Sequence, residues 1–195
     1  MDKDSVAGRV KVQELKVLSD NHYTLRRATY DWLRSDGTWQ TQMRESYDMG
    51  DGAAVLPYDA KTGKLLLIRQ FRWPVFEAGY KKTFIEAIAG KLDGDDPAAC
   101  VRREAMEEAG ARIQNARRVF HSFMSPGALT EQLSLFVADY DSTEPRQGGG
   151  GHVHEGEDIT VLEMTLDEAM AMIASAEITD AKTIMLLQWL KLNSG

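Results

Sequence analysis

Over the first fifty residues apolar and polar positions alternate instead of recurring at helical spacing. Residues 9–18 begin with Val10 and Val12 on one face, 22–34 form a longer extended run, and 39–47 return as its partner. Three strands are expected there. Ser35-Asp36-Gly37-Thr38, with Asp-Gly at its centre, marks the hairpin turn between the last two. From Asp51-Gly52 the pattern becomes denser. Residues 53–58 and 64–71 predict strands, and the unbroken Leu65-Leu66-Leu67-Ile68 predicts burial on both faces. Trp73-Pro74 ends the second of these strands, 79–82 is a loop, and 83–88, 116–123 and 132–140 are further strands. Helical spacing dominates only late. Residues 165–177 and 180–192 predict two helices, with Met170, Ile173, Ile184, Leu187 and Leu190 as core candidates.

One stretch carries most of the chemistry. Ala89-Gly90-Lys91-Leu92-Asp93-Gly94-Asp95-Asp96-Pro97 predicts a strand end and a tight loop, followed by a short helix ending at Gly110-Ala111. Asp96 suits the N-cap, Pro97 the first helical position and Gly110 a left-handed stop. On that helix Glu104 and Glu108 lie one above the other, with Glu107 beside them. Like charges at this spacing cost roughly 0.2–0.5 kcal/mol per pair. Arg103 can relieve Glu107, but no residue of the helix is expected to neutralise the Glu104–Glu108 pair. A solvated acidic face is the plain alternative. A hard divalent cation such as Mg²⁺, which takes oxygen ligands and shares itself with substrate phosphates, explains the pair together with the loop before it.

Length and charge narrow the class. A chain of 195 residues can bury one sizeable core, most simply one catalytic domain with an N-terminal extension. Its net charge of −7, with no basic stripe, argues against a nucleic-acid partner. The single Cys100 falls in the acidic helix and fits a buried, reduced thiol. With no long apolar run and no leader pattern, no membrane partner and a cytoplasmic location are expected. Arg69 and Arg72 place guanidinium groups at a strand end, matched to phosphate oxygens. Four consecutive glycines, 148–151, suit a mobile lid before His152, His154, Glu155 and Glu157. Two histidines there are too few for a zinc site.

The stretch from Gly90 to Ala111 resembles the signature of the Nudix hydrolases. Its second half is complete as Arg103-Glu104-Ala105-Met106-Glu107-Glu108-Ala109-Gly110-Ala111. In the first half twelve residues separate Gly90 from Arg103, one fewer than the pattern, and Asp95 or Asp96 stands in place of an early Glu. Ser19-Asp20-Asn21, Arg44-Glu45-Ser46-Tyr47-Asp48, Met124-Ser125-Pro126-Gly127, Glu157-Asp158-Ile159 and Asp180-Ala181-Lys182-Thr183 extend the similarity to the nucleoside-diphosphate-sugar branch, closest to its GDP-mannose-cleaving subgroup.

The resemblance implies an α/β fold, the Nudix α/β/α sandwich with a mixed sheet, plus an N-terminal antiparallel sheet. Residues 1–50 would form the strand region that dimerises the protein as a homodimer, and 51–195 the catalytic domain. It also implies Mg²⁺, with Mn²⁺ as a substitute, held by the Ala89 carbonyl, Glu104, Glu108 and Glu157. The catalytic base would come from Glu157 or Glu155, with Glu107 next in line. Arg44, Glu45, Arg72, Glu131 and Lys182 would contact the nucleotide sugar, and His22 stands where the subgroup often has Tyr. The implied reaction is cleavage of GDP-mannose to GMP and mannose 1-phosphate. Two other readings are ADP-ribose as substrate, and a nucleotide sensor without catalysis. The sensor should have lost the carboxylates that are present here.

Overall fold

The computed structural model describes residues 5–152, 154 and 156–193, which group into two compact units. The first comprises residues up to Gly50 together with Ser125–Glu131. Its strands β1 (Val10–Asp20), β2 (Thr24–Leu33) and β3 (Trp39–Asp48) form an antiparallel sheet in that order. Asp36 accepts from the Thr38 amide at 2.9 Å and Gly37 takes φ 83°, which closes the turn between β2 and β3. The pairing of β1 with β2 slips by one residue between Val12 and Glu14. That bulge keeps Val10, Val12, Leu15 and Val17 on one face, opposite Trp32, Tyr30, Ala28 and Arg26. It is why simple alternation fades partway along β1.

The second unit runs through 51–124 and resumes at 132. Its central strands β4 (Gly52–Asp59) and β5 (Lys64–Gln70) are buried on both faces. Short β6 (Phe84–Glu86) pairs with β5, and β7 (Ile88–Lys91) pairs with β4. β8 (Gln114–Phe123), β9 (Gln132–Asp139) and β10 (Thr160–Thr165) complete a sheet of order β10-β5-β4-β9-β8. The β4–β9 pair is parallel and the others antiparallel, so the sheet is mixed.

Helices α2 (Pro97–Ala109), α3 (Leu166–Ala174) and α4 (Ala181–Asn193) cover the two faces, whereas α1 (Trp73–Glu77) is a single short turn. Ala53, Val55, Leu66 and Ile68 pack against Cys100, Val101, Ala105 and Ala109 of α2. Their strand neighbours Ala54, Leu56, Leu65 and Leu67 pack against Ala169 of α3 and Leu186, Leu187 and Leu190 of α4. Side chains that alternate across a sheet thus feed two cores, giving an α/β/α sandwich. Met170, Ile173 and Ile184 flank the second core.

Several elements depart from the sequence pattern, and the expected strand 83–88 is two, β6 on β5 and β7 on β4. Trp73-Pro74 opens α1 instead of only ending a strand, because a proline suits a first helical turn. β10 lies along β5, where Thr160–Thr165 shows too little alternation to announce itself. The first of the two late helices also begins one residue after Thr165. Thr165 and Glu168 form a reciprocal capping box that fixes this start. No helix among the described residues is long and apolar enough to cross a membrane.

Candidate active site

The site is built where β7 runs into α2. Asp93 and Gly94 turn the chain with φ 46° and 95°, and Asp96 then accepts from the amides of Ala98 and Ala99. Pro97 starts the helix and Gly110, at φ 60°, stops it. This start-and-stop chemistry fixes the phase of α2, so Glu104 and Glu108 both turn inward, towards β7. The Ala89 amide donates to Glu108 Oε2 at 3.2 Å. A Cβ at Gly90 would overlap the Glu104 carboxylate, so any larger residue there would force that carboxylate from its place against the strand. Cys100 is a buried, free thiol that donates to the Lys91 carbonyl. Burial and the nearby Glu104 push its pKa up to about 11, which makes it an inert packing group.

Arg103 is more committed than helical spacing implied. Its Nη1 lies 2.8 Å from Glu104 and 3.0 Å from Glu107, so Glu104 does have a counter-charge. The expectation that the Glu104–Glu108 pair is wholly uncompensated is corrected to Glu108 alone. Arginine is long enough to reach its sequence neighbour as well as the residue one turn on. Asp95 lies 4.0 Å from Arg103 and Asp96 caps the helix, so the two acids of the shortened loop have separate duties.

Electrostatics single out Glu108. Burial pushes its carboxyl up to about 8 against the Ala89 hydrogen bond, with Glu104, Glu86 and Glu157 adding repulsion. Glu104 is raised in the same direction by burial, which prevails over the opposing charge of Arg103, with Glu107 and Glu157 adding repulsion. Among the described residues no three His, Cys, Asp or Glu side chains already form a metal cage.

The glycine run is no free lid. Gln147 donates to the Gly110 carbonyl, Gly150 to that of Glu108 and Gly151 to that of Glu107. Beyond it, Glu157 Oε2 accepts from the His152 amide at 2.8 Å, and His152 Nε2 is 3.5 Å from Glu107. Glu155 lies outside the described residues.

A second cluster joins the predicted Arg72 and Lys182 to Glu86, which sequence reasoning missed. Glu86, almost wholly buried, receives Arg72 Nε and Lys182 Nζ, each at 2.7 Å. Lys182 also lies 3.0 Å from Asp180. Thr183 Oγ1 donates to Asp180 and accepts from the Ala87 amide at 2.6 Å, in the gap between β6 and β7. Burial pushes Glu86 up, yet Lys182 and Arg72 together hold it below the usual carboxylate range. Both cations are raised by Glu86 despite their own burial. An acidic residue inside the apolar Phe84-Ile85-Glu86-Ala87-Ile88 was the available signal, because a buried charge needs a partner.

The candidates therefore fall into two groups. Ala89, Glu104, Glu107, Glu108, Glu157, Arg72 and Lys182 belong to the second unit, and His22, Arg44, Glu45 and Glu131 to the first. His22 rests against Tyr23 with ring centroids 4.3 Å apart, and Tyr23 meets Tyr47 edge-on at 5.5 Å. Arg44 pairs with Ala28 and Glu45 with Arg27 across the ladder, so successive side chains place Arg44 and Glu45 on opposite faces.

Comparison with known proteins agrees with this architecture. Residues 49–187 match the family model described as NUDIX domain. Residues 9–47 match the model described as GDP-mannose pyrophosphatase NudK N-terminal domain. A GDP-mannose pyrophosphatase of Escherichia coli O1:K1 / APEC is 44% identical over 179 residues, covering 91% of this chain and 93% of the relative. A GDP-mannose pyrophosphatase of Shigella dysenteriae serotype 1 (strain Sd197) shows the same identity and coverage. A crystal structure described as an ADP compounds hydrolase superposes with a TM-score of 0.70 over 94% of this chain and 95% of its own, at 17% identity, and so shares the fold. Signature helix, mixed sandwich and full-length similarity together show that the chain belongs to the Nudix hydrolase family.

Proposed function

We propose that this protein hydrolyses the diphosphate of a nucleoside diphosphate sugar, GDP-mannose, to GMP and mannose 1-phosphate in a divalent-cation-dependent reaction. The observation that carries the reading is the buried carboxyl of Glu108, bonded to the Ala89 amide and repelled by the charges of Glu104 and Glu157. An all-oxygen donor set with excess negative charge fits a hard cation. The Ala89 carbonyl, Glu104, Glu108 and Glu157 would hold Mg²⁺, or Mn²⁺ in its place. Such an ion supplies neutralisation of phosphate oxygens and a lower pKa for bound water. The relatives named GDP-mannose pyrophosphatase, matched nearly end to end, support the substrate.

The chain's own groups divide the remaining work. A carboxylate, Glu157 first with Glu155 and Glu107 as rivals, takes a proton as water adds to phosphorus and the P–O–P bridge breaks. Arg72, fixed through Nε, turns its remaining guanidinium nitrogens to the phosphates and stabilises the departing one. Lys182, expected from the resemblance to contact the nucleotide sugar, is largely buried and bound to Glu86 and Asp180, which supports instead a part in holding Glu86 and, through it, Arg72. Arg44, His22 and Glu131, with Glu45 on the opposite sheet face, contribute recognition of base and sugar.

The same reading places the protein in the cytoplasm as a homodimer. The exposed Val12, Leu15 and Val17 of β1 support pairing through the first unit. Light scattering that returns a monomeric mass rejects the dimer. For the reaction, GDP-mannose and ADP-ribose are assayed side by side at equal Mg²⁺, with products separated by chromatography. GDP-mannose is expected to have the higher kcat/KM, and EDTA to abolish turnover. An ADP-ribose preference of about tenfold, within reach of 1–3 kcal/mol of binding difference, overturns the substrate.

A further inference from the structure

We infer that the glycine run 148–151 is a fixed strap that positions Glu157 against Glu104 and Glu108. This rests on the role given to Glu157 above. Three features of the backbone carry it.

The first is hydrogen bonding. The last carbonyls of a helix lack partners within it. Here Gly150 and Gly151 donate to two carbonyls near the end of α2, at 2.9 and 3.1 Å, and Gln147 donates to the Gly110 carbonyl at 3.0 Å. The two helical carbonyls belong to Glu108 and Glu107. The strap is therefore tied to the residues whose side chains form the site.

The second is close packing. A Cβ at Gly149 would stand 2.9 Å from the Ala109 carbonyl carbon and 3.0 Å from the Gly110 nitrogen. One at Gly110 would stand 2.6 Å from the Gly148 oxygen, and one at Gly151 would overlap Glu157 itself. These neighbours are mostly backbone and cannot swing aside. Gly148 meets nothing within 4 Å. All four glycines have positive φ, between 76° and 102°, which L side chains resist.

The third is closure. The chain leaves the strap at His152, returns through Glu157, and Ile159 donates to the Gly150 carbonyl at 3.2 Å before its side chain enters the first core. Glu157 thus lies two residues before the anchored Ile159, and its own amide and carboxylate meet His152, the residue that follows the strap. Its carboxylate and those of Glu104 and Glu108 are referenced to one rigid element, α2, the kind of support that a site needs to keep its geometry.

Gly148→Ala and Gly149→Ala separate the strap from conformational strain. Both pay for positive φ, but only Gly149→Ala collides with α2. With circular dichroism confirming the fold, kcat for GDP-mannose in Gly149→Ala is expected to fall at least ~10-fold below that of Gly148→Ala, with KM within about twofold. In the metal-free wild type, the amides of 150 and 151 are expected to exchange at least ~10²-fold slower than in an unstructured peptide. Equal kcat in the two alanine variants, a loss confined to KM, or exchange at the unstructured rate overturns the strap. If Gly149→Ala does not fold, the wild-type exchange rates decide. Glu157→Gln is run alongside. Full activity there overturns the role of Glu157, and with it what the strap positions, whereas an inactive Glu157→Gln with equal alanine variants overturns the strap alone.

Discussion

Glu108→Gln tests the electrostatics of the site without any substrate. The wild-type carboxyl is buried, accepts one amide hydrogen bond from Ala89, and titrates near 8 in place of the usual 4.5. Below about pH 4.5 it is protonated both folded and unfolded, and contributes no difference. Between the two values the unfolded chain gives up its proton while the folded one keeps it, so stability falls as pH rises. Above pH 8 the full penalty applies. At about 1.36 kcal/mol per pH unit, the ceiling is about 5 kcal/mol, and water penetration with relaxation brings a realistic figure nearer 2–3 kcal/mol. For a chain of this size that is roughly 4–12 °C in Tm. Glutamine keeps the shape and can accept the same hydrogen bond, but cannot ionise. The assay is thermal unfolding in EDTA at pH 5.5 and pH 9. The variant is expected to exceed wild type only slightly at pH 5.5, where little of the penalty has developed, and by several degrees at pH 9. Mg²⁺ should raise the wild-type Tm at pH 9 and leave the variant unmoved. Parallel pH profiles for the two proteins would refute the assignment of the penalty to Glu108.

Glu86→Gln removes the buried negative charge and leaves one oxygen to accept where Arg72 Nε and Lys182 Nζ each had one. Removing one partner of a buried ion pair costs about 3–5 kcal/mol, so Tm should drop by about 6 °C or more, and a change under about 1 °C contradicts the clamp. Gly90→Ala forces the Glu104 carboxylate aside. Mg²⁺-dependent turnover should fall by ~10² or more, while circular dichroism stays native, and wild-type turnover shows that Glu104 need not lie against the strand.

Much of this protein is legible along the chain because much of it is local. Strand and helix periods follow from which positions must face a core. The start, stop and phase of α2 follow from Asp96, Pro97 and Gly110, each acting on a neighbour within a few residues. That phase alone is enough to place Glu104 and Glu108 on the same inward side. What remained hidden depends on segments far apart in sequence. Lys182 meets Glu86 across 96 positions, and nothing near either residue announces the other. Arg103 looked like a partner for Glu107 because helix spacing ranks that pair, and its reach to Glu104 depends on where the strand leaves room. Gly90 looks like any turn glycine until a carboxylate is packed against it. The four glycines spell flexibility in isolation, because an unpaired glycine backbone is free to move. Docked on the spare carbonyls of α2, the same four residues adopt a path that side chains would block. Composition sets which conformations the chain can reach, and only tertiary contact selects one of them.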